Sequence, residues 1–197
     1  MEKFLFTDFL LSNVPLTEVQ LRMLFQKSRV LKVDKGEMLL SAGDTCKHRF
    51  FIEKGAVREF YVDEHGKEHL LVFAVEGWFV VNVDSVFFDQ PSRYFIQAIE
   101  PTKVLLIDEE QVQALSLQSP EFDRFNKQLI YEHIQHLQHR ITSLQSDGAE
   151  IRYQHFIKAY PELLLRIPQA YIASYLGITP ESLSRIRRQL VQQARQK

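Results

Sequence analysis

The side chains best suited to chemistry lie near the C-terminal end of the chain. Glu181 and Arg185 are four residues apart, which is about one turn of a helix. An arginine can donate two hydrogen bonds to O6 and N7 of guanine, and a glutamate can accept one from N4 of cytosine or orient the arginine. We therefore expect Glu181 and Arg185 to read bases in DNA. The other polar residues expected in this DNA-binding set, most of them as phosphate contacts, are Gln169, Thr179, Ser182, Ser184, Arg187 and Arg188. For Arg187 the alternative is a solvated surface charge.

Two short helices are needed to position these side chains, and the same segment predicts them. Gly177 is placed to end a first helix in the left-handed conformation, and Thr179-Pro180 supplies an N-cap and a first-turn proline for a second helix. Ala173 lies where two helices would cross closely. The pattern predicts a helix-turn-helix, and the alternative is a helical hairpin with no nucleic-acid role. The apolar residues at helical spacing on both sides of the turn are Ile172, Leu176, Ile178, Leu183 and Ile186.

The charge is distributed unevenly along the chain. The 197 residues carry 24 Lys and Arg against 25 Asp and Glu, a formal net charge of −1. Residues 1–151 hold 16 basic and 23 acidic residues, whereas residues 152–197 hold 8 basic and 2 acidic ones. The net charges are therefore −7 and +6. A basic C-terminal part on an acidic body is consistent with phosphate binding at that end, although basic C-termini without this role are common.

Composition excludes several classes of protein. A single cysteine, Cys46, cannot form an intramolecular disulfide or a cysteine-rich zinc or iron–sulfur site, so we expect a reducing compartment, the cytoplasm. No apolar run approaches the roughly 18 residues of a membrane helix, and no membrane partner is expected. The motifs of nucleophilic, phosphate-binding and dinucleotide-binding enzymes are missing, so we predict no enzyme and no cofactor. His133, His136 and His139 are interpreted as solvated or interface residues, and no metal site is predicted.

The region from Arg29 to Asp108 has the pattern of an antiparallel β fold. Short apolar runs rich in β-branched and aromatic residues are separated by glycine-containing turns about every 8–12 residues. The spacing predicts an all-β sandwich or barrel, most plausibly a jelly roll. Short helices are expected before it, one of them starting near Thr17.

After Asp108 the pattern becomes helical. An apolar stripe steps by four and three residues, which is the spacing of a heptad seam. Either this long helix lies on the β region or the stripe forms a dimer interface. Ser146-Asp147-Gly148 is expected to end the helix and to act as a hinge. The predicted interface residues are Ile130, Ile134, Leu137, Ile141 and Leu144.

Taken together, these motifs resemble the cyclic-AMP receptor protein and fumarate–nitrate regulator (Crp/Fnr) superfamily of bacterial transcription factors. The resemblance covers nearly the whole chain. It implies an α+β fold: a cyclic-nucleotide-binding-like jelly roll with N-terminal helices over 1–108, a dimerisation helix region over 109–147, and a winged helix-turn-helix over 148–197. It also implies a homodimer that binds double-stranded DNA, with RNA polymerase as a further partner. The turns that match the family are Lys35-Gly36-Glu37, Ala42-Gly43-Asp44, Lys54-Gly55-Ala56-Val57 and Glu76-Gly77, and the recognition-helix match is Ile178–Ile186.

The ligand pocket departs from the cyclic-AMP-binding members of that family. Those members use a glutamate for the ribose hydroxyl and an arginine for the cyclic phosphate, in a pocket that corresponds here to Val80, Asn82, Ser92 and Arg93. Asn82 lies in the stretch where that glutamate is missing, and Ser92 takes the place of the arginine. Because both charged partners are lost, we expect no response to cyclic AMP. Three alternatives remain open. Arg93 could reach the pocket and bind a small anion, the pocket could be empty or filled by apolar side chains, or Arg93 could form an ion pair on the surface. The alternative function is a small-ligand-binding or protein-interaction module whose helix-turn-helix does not bind DNA.

Overall fold

A computed structural model describes residues 5–195 of the chain. The chain divides into two compact units between Tyr131 and Glu132, inside a long helix. No helix among the described residues has the length and apolar character needed to cross a membrane. The two units are described separately below.

Two short helices open the first unit, as predicted. They are α1 (Leu5–Asn13) and α2 (Glu18–Phe25). Thr17 caps α2: its hydroxyl accepts from the Gln20 N–H at 3.3 Å, and the Gln20 side chain accepts from the Thr17 N–H at 2.9 Å. Helix α1 is capped from a distance, because the first N–H groups of the helix donate to the Glu53 carboxylate at 2.9 and 3.0 Å.

Eight strands form two four-stranded sheets with antiparallel pairing throughout. The sheet orders are β1-β8-β3-β6 and β2-β7-β4-β5. This arrangement confirms the antiparallel fold expected for the region. The strands are β1 (Arg29–Val33), β2 (Met38–Leu40), β3 (His48–Lys54), β4 (Ala56–Val62), β5 (Glu68–Val75), β6 (Phe79–Val80), β7 (Phe95–Ala98) and β8 (Thr102–Asp108).

Both faces of β3 and β8 are buried, which explains their continuous apolar runs. On β3, Phe50 and Ile52 belong to the core between the two sheets, whereas Phe51 belongs to the core shared with α1 and α2. The turn into β4 depends on a glycine. Gly55 has φ +96°, and a Cβ there would lie 2.6 Å from the Thr102 hydroxyl oxygen.

The prediction that Arg29–Asp108 is entirely β is wrong at one place. Helix α3 (Val83–Phe88) lies between β6 and β7. The Asn82 side chain caps it by accepting from the Ser85 N–H at 3.0 Å, and Asp89 ends it with φ +52°. The valines and phenylalanines of this segment favour a strand by propensity, but capping and burial of Ser85 stabilise a helical turn instead.

The switch to helix after Asp108 is confirmed, with a break that the sequence pattern did not predict. Asp108 caps α4 (Glu109–Gln118), accepting from the Gln111 N–H at 3.4 Å. Ser119 ends α4 in an extended conformation, and the long helix α5 begins at the next residue, Pro120, and runs to Ser146. A proline in the first turn of a helix loses no hydrogen bond, so α5 begins naturally there.

The second unit is helical over its described residues. After α5 come α6 (Ala149–Ala159), α7 (Leu163–Arg166), α8 (Gln169–Tyr175) and α9 (Pro180–Arg195). The wing of the predicted winged helix-turn-helix needs strands, and residues 132–195 contain none. Leucine and arginine are strong helix formers, so the segment between α6 and α8 forms α7 instead of a hairpin.

Candidate nucleic-acid interface

The segment from α8 to α9 forms the predicted helix-turn-helix. Gly177 ends α8 with φ +66°, and the Ile178 N–H donates to the Ala173 carbonyl at 3.0 Å. The Thr179 hydroxyl accepts from the Ser182 N–H at 3.2 Å, and Pro180 is the first residue of α9. The chain therefore reverses direction at the residues that the capping pattern indicated.

The two helices pack through small and aliphatic side chains. Ala173 and Leu183 have no exposed surface. A fully buried position of this kind leaves little room for a side chain larger than that of Ala173. The other buried residues of the pair are Ile172, Leu176 and Ile186.

The opposite face of α9 is polar and exposed. Glu181, Ser184, Arg185 and Arg188 are all exposed, and their spacing of three and four residues places them on one side of the helix. Thr179 precedes this face and is also exposed, and Gln169 is exposed at the start of α8. These positions agree with the expected interface, while binding itself stays a prediction.

Two residues of the expected set are placed differently. Ser182 is half-buried and takes part in the cap of α9. The Ser182 N–H donates to the Thr179 hydroxyl at 3.2 Å, and the hydroxyl oxygens of Thr179 and Ser182 are also 3.2 Å apart. Arg187 is half-buried on the side of α9, outside the face formed by Arg185 and Arg188. A rotation of 100° per residue separates neighbours on a helix, so Arg187 cannot share the face of Arg188.

Within the part of the chain that the structure describes, the two arginines of this face are not neutralised by a carboxylate. Among residues 5–195, Arg185 and Arg188 form no hydrogen bond or ion pair with another side chain. Glu181 does not orient Arg185. Its carboxylate accepts from its own N–H and from Thr179, and these hydrogen bonds at the start of α9 hold the pKa of Glu181 below its usual value. Both guanidinium groups therefore remain available to an anion.

Two arginines that the sequence interpretation missed hold the turn in place. Arg152 of α6 donates to the Leu176 carbonyl at 2.9 Å and to the Asp147 carbonyl at 2.6 Å. Arg140 of α5 donates to the Tyr175 carbonyl at 3.1 Å, and its guanidinium lies 4.2 Å from the centre of the Tyr175 ring. They satisfy carbonyls left without partners at the end of α8. The predicted end of α8 implied that its last carbonyl groups need hydrogen-bond donors, but no sequence pattern indicated that Arg140 and Arg152 supply them.

The predicted dimer residues form a largely uncovered apolar stripe on α5. Ile130, Ile134, Ile141 and Leu144 are between 40% and 55% exposed, and Leu137 is half-buried. Isolated apolar side chains are normal on protein surfaces, but a continuous stripe at heptad spacing is not. The stripe is therefore an exposed apolar face of α5.

The four residues of the predicted ligand pocket lie in different surroundings. Val80 belongs to the core between the sheets, and Asn82 donates to the buried Ser92 hydroxyl at 2.8 Å. Arg93 points outward: its side chain is 74% exposed and pairs with Asp84 at 3.0 Å. Of the alternatives left open by the sequence, Arg93 is therefore the surface ion-pair residue.

A carboxyl group that the sequence interpretation missed faces the inside of the sandwich. Glu59 lies two residues after Val57 on β4, and Val57 is fully buried between the sheets. Burial, and secondarily the Asp84 carboxylate, raises the pKa of Glu59 from 4.5 to about 7. Within the described residues, no hydrogen bond or ion pair compensates this carboxylate. The interior is therefore unfavourable for a phosphate.

Comparison with known proteins adds to this geometry. A family model described as "Cyclic nucleotide-binding domain" matches residues 30–119. The fumarate and nitrate reduction regulatory protein of Vibrio cholerae is 29% identical over 166 residues, covering 78% of this chain and 65% of that protein. The chain thus spans less than two thirds of the length of this curated relative.

Two solved structures share the fold. FixK2 from Bradyrhizobium japonicum aligns with a TM-score of 0.74 and 20% identity, covering 85% of this chain and 86% of that chain. A transcriptional regulator of the crp/fnr family from Eubacterium rectale aligns with a TM-score of 0.69 and 16% identity, covering 93% and 87%. The chain therefore shares the fold of these two structures and is similar in sequence to the curated relative.

Proposed function

We propose that the protein is a homodimeric, sequence-specific DNA-binding transcription regulator. The observation that carries the proposal is the exposed face of α9, where Arg185 and Arg188 have no ion-pair partner among the described residues. Unpaired guanidiniums on the second helix of a helix-turn-helix suit the major groove and its phosphates. The relatives support the proposal because their names describe regulators, whereas no feature favours a ligand-binding or protein-interaction module without DNA binding.

Arg185 and Arg188 have different roles in this proposal. Arg185 reads a guanine, with Glu181 turning from its capping position to a neighbouring cytosine. Arg188, Thr179 and Gln169 contact phosphates, together with Arg187 at the side of α9. Ser184 packs against the groove wall.

The test is DNA binding by purified protein, first by selection of binding sites from random or genomic fragments. Arg185→Ala should cost about 1–3 kcal/mol on the selected site and relax base preference, whereas Arg188→Ala should weaken all sequences alike and reduce the salt dependence. Lys158→Ala on α6 removes an exposed charge elsewhere in the same unit and serves as the control. No selective, salt-sensitive binding by the wild-type chain would overturn the proposal.

The apolar stripe on α5 provides the dimer interface in this proposal. Two helix-turn-helix units related by a two-fold axis would bind half-sites about 34 Å apart, so the selected DNA site should be roughly palindromic. Sedimentation equilibrium of Ile134→Ser/Ile141→Ser measures the stripe directly. A weaker dimer is expected, and a wild-type monomer at all concentrations would contradict this part.

The regulator is proposed not to respond to cyclic AMP. Asn82 cannot act as the acceptor carboxylate, Arg93 lies outside, and the interior holds Glu59, which repels a phosphate. Calorimetry with cyclic AMP should detect no binding, and tight binding would overturn the pocket argument. Residence in the cytoplasm, contact with RNA polymerase and the absence of catalysis complete the proposal.

A further inference from the structure

The helical unit contains a polar cluster made by α5, α6 and α8. His136 and Arg140 are four residues apart on α5, so they lie on the same side of that helix. The His136 Nε2 atom lies 3.4 Å from the hydroxyl oxygen of Tyr160, the residue that directly follows α6. The Arg140 guanidinium donates to the Tyr175 carbonyl of α8 and lies over the Tyr175 ring. All four residues belong to the second unit, and all four are half-buried.

The neighbours of His136 along α5 are mainly basic. Arg140 follows it by one turn, and His133 and His139 flank it at a spacing of three residues. Glu132, one turn before His136, is exposed, so solvent screens its charge. Burial lowers the pKa of His136, and the positive charges of the three basic neighbours lower it further. Burial lowers the pKa of His133 as well. The folded helical unit therefore favours neutral imidazoles at this place.

The side chains that meet this cluster from α6 and α8 are aromatic. Tyr160 contacts His136, and Tyr175 forms a hydrogen bond with Tyr160. Burial is the main cause that raises the pKa of both hydroxyls, so both stay neutral from mildly acidic to neutral pH. Phe156 of α6 packs on the two tyrosine rings, with ring centres 5.5 and 5.7 Å apart. A tyrosine hydroxyl can donate and accept, so it contacts His136 in either protonation state and does not compensate a positive charge there.

Arg140 connects the cluster to the turn of the helix-turn-helix. It donates to the Tyr175 carbonyl at 3.1 Å, and Gly177 reverses the chain two residues later. A positive charge on His136 repels the Arg140 guanidinium one turn away, and a long arginine side chain relieves this repulsion by turning from Tyr175 towards solvent. The Tyr175 carbonyl then loses its donor, and the end of α8 loosens. Because α8 and the turn position α9, the change reaches the exposed face of α9.

We propose that His136 is a pH-sensitive element of the helical unit, whose protonation releases Arg140 from the end of α8 and weakens DNA binding as the pH falls below about 6.5. The loss of DNA affinity rests on the proposed function, whereas the loosening of α8 does not. Since the folded unit lowers the pKa of His136, the stabilising contribution is complete above the unfolded value of 6.5 and is lost as the pH falls towards the lowered folded value. Added positive charge by itself acts in the opposite direction, because it strengthens binding to phosphates.

The experiment measures the DNA Kd of the full chain on its selected site at about pH 7.5 and about pH 5.5, at one salt concentration. His136→Gln keeps a polar side chain beside Tyr160 but cannot take up a proton, and His139→Gln, at an exposed position of the same helix, is the matched control. The Kd of the wild type and of the control should rise about threefold or more on acidification, and that of His136→Gln should change less than about 1.5-fold. An equal rise in the wild type and His136→Gln, or tighter wild-type binding at the lower pH, would overturn the inference.

A second measurement needs neither DNA nor a variant. The N–H groups of Leu176, Gly177 and Ile178 form hydrogen bonds at the end of α8, and their hydrogen exchange reports the opening of this turn. After correction for the intrinsic pH dependence of exchange, their protection in the wild type should fall about threefold or more between about pH 7.5 and about pH 5.5. Equal protection at both pH values would overturn the inference. If the chain binds no DNA at either pH, the proposed function fails, and the exchange result alone decides whether His136 loosens α8.

Discussion

Glu59 makes the stability of the β unit depend on pH. Its pKa is about 7 in the folded chain and near 4.5 when the chain is unfolded. The folded state therefore favours the protonated form. Below pH 4.5 the carboxyl is neutral in both states and costs nothing. As pH rises from 4.5 towards 7, the unfolded state releases its proton first, so the free energy of unfolding falls by about 1.4 kcal/mol per pH unit. Above pH 7 the full cost of about 3 kcal/mol is present.

Glu59→Gln removes this titration while keeping a side chain of the same size. We expect the variant to exceed the wild type in unfolding free energy by about 3 kcal/mol at pH 8, and by less than about 1 kcal/mol at pH 5. Trp78 is the chain's one tryptophan and directly precedes β6, so its fluorescence during urea unfolding reports on the β unit. Glu64→Gln, on an 87% exposed side chain, is the control and should show no such difference. A stability gain for Glu59→Gln that is equal at pH 5 and pH 8 would refute the reasoning.

The remaining predictions concern the backbone and the turn. Gly55→Ala should lower the unfolding free energy of the β unit by about 2–4 kcal/mol in the same fluorescence assay, because the new Cβ would meet Thr102 at a positive φ; unchanged stability would contradict the clash. Arg152→Ala should lower the melting temperature of the helical unit and weaken binding to all DNA sequences, since two carbonyl partners are lost, at a cost of about 1–3 kcal/mol. Gln154→Ala, also on α6 but exposed, should change neither quantity.

The β fold was predictable because turns and apolar runs alternate regularly along it. The run from Phe50 to Ile52 was also interpretable as a strand, although only the structure shows that its two faces enter different cores. Helix α3 was not predictable in the same way. It is one and a half turns long, and its stability comes from the Asn82 cap, which a hydrophobic pattern does not reveal.

The exposed face of α9 followed from helical periodicity alone. Once Leu183 and Ile186 are assigned to the buried side, the 100° rotation per residue places Arg185 and Arg188 outward. The residues that hold the helix-turn-helix in place could not be found by the same reasoning. Arg152 acts on Leu176, which is 24 residues away in sequence, and no local pattern relates the two.

The ligand pocket shows where reasoning from residue types reaches its limit. Asn82, Ser92 and Arg93 were grouped because they lie in the two stretches where the family resemblance implies a nucleotide-binding glutamate and arginine, but a position in the sequence gives a side chain no direction. The structure points Arg93 outward to Asp84, whereas Asn82 and Ser92 bind each other. The charge that remains inside is the carboxyl of Glu59, from a strand that was interpreted only as structure. Because a carboxylate inside the sandwich would repel an anion, the pH dependence of Glu59→Gln reports on the charge of this interior as well as on stability.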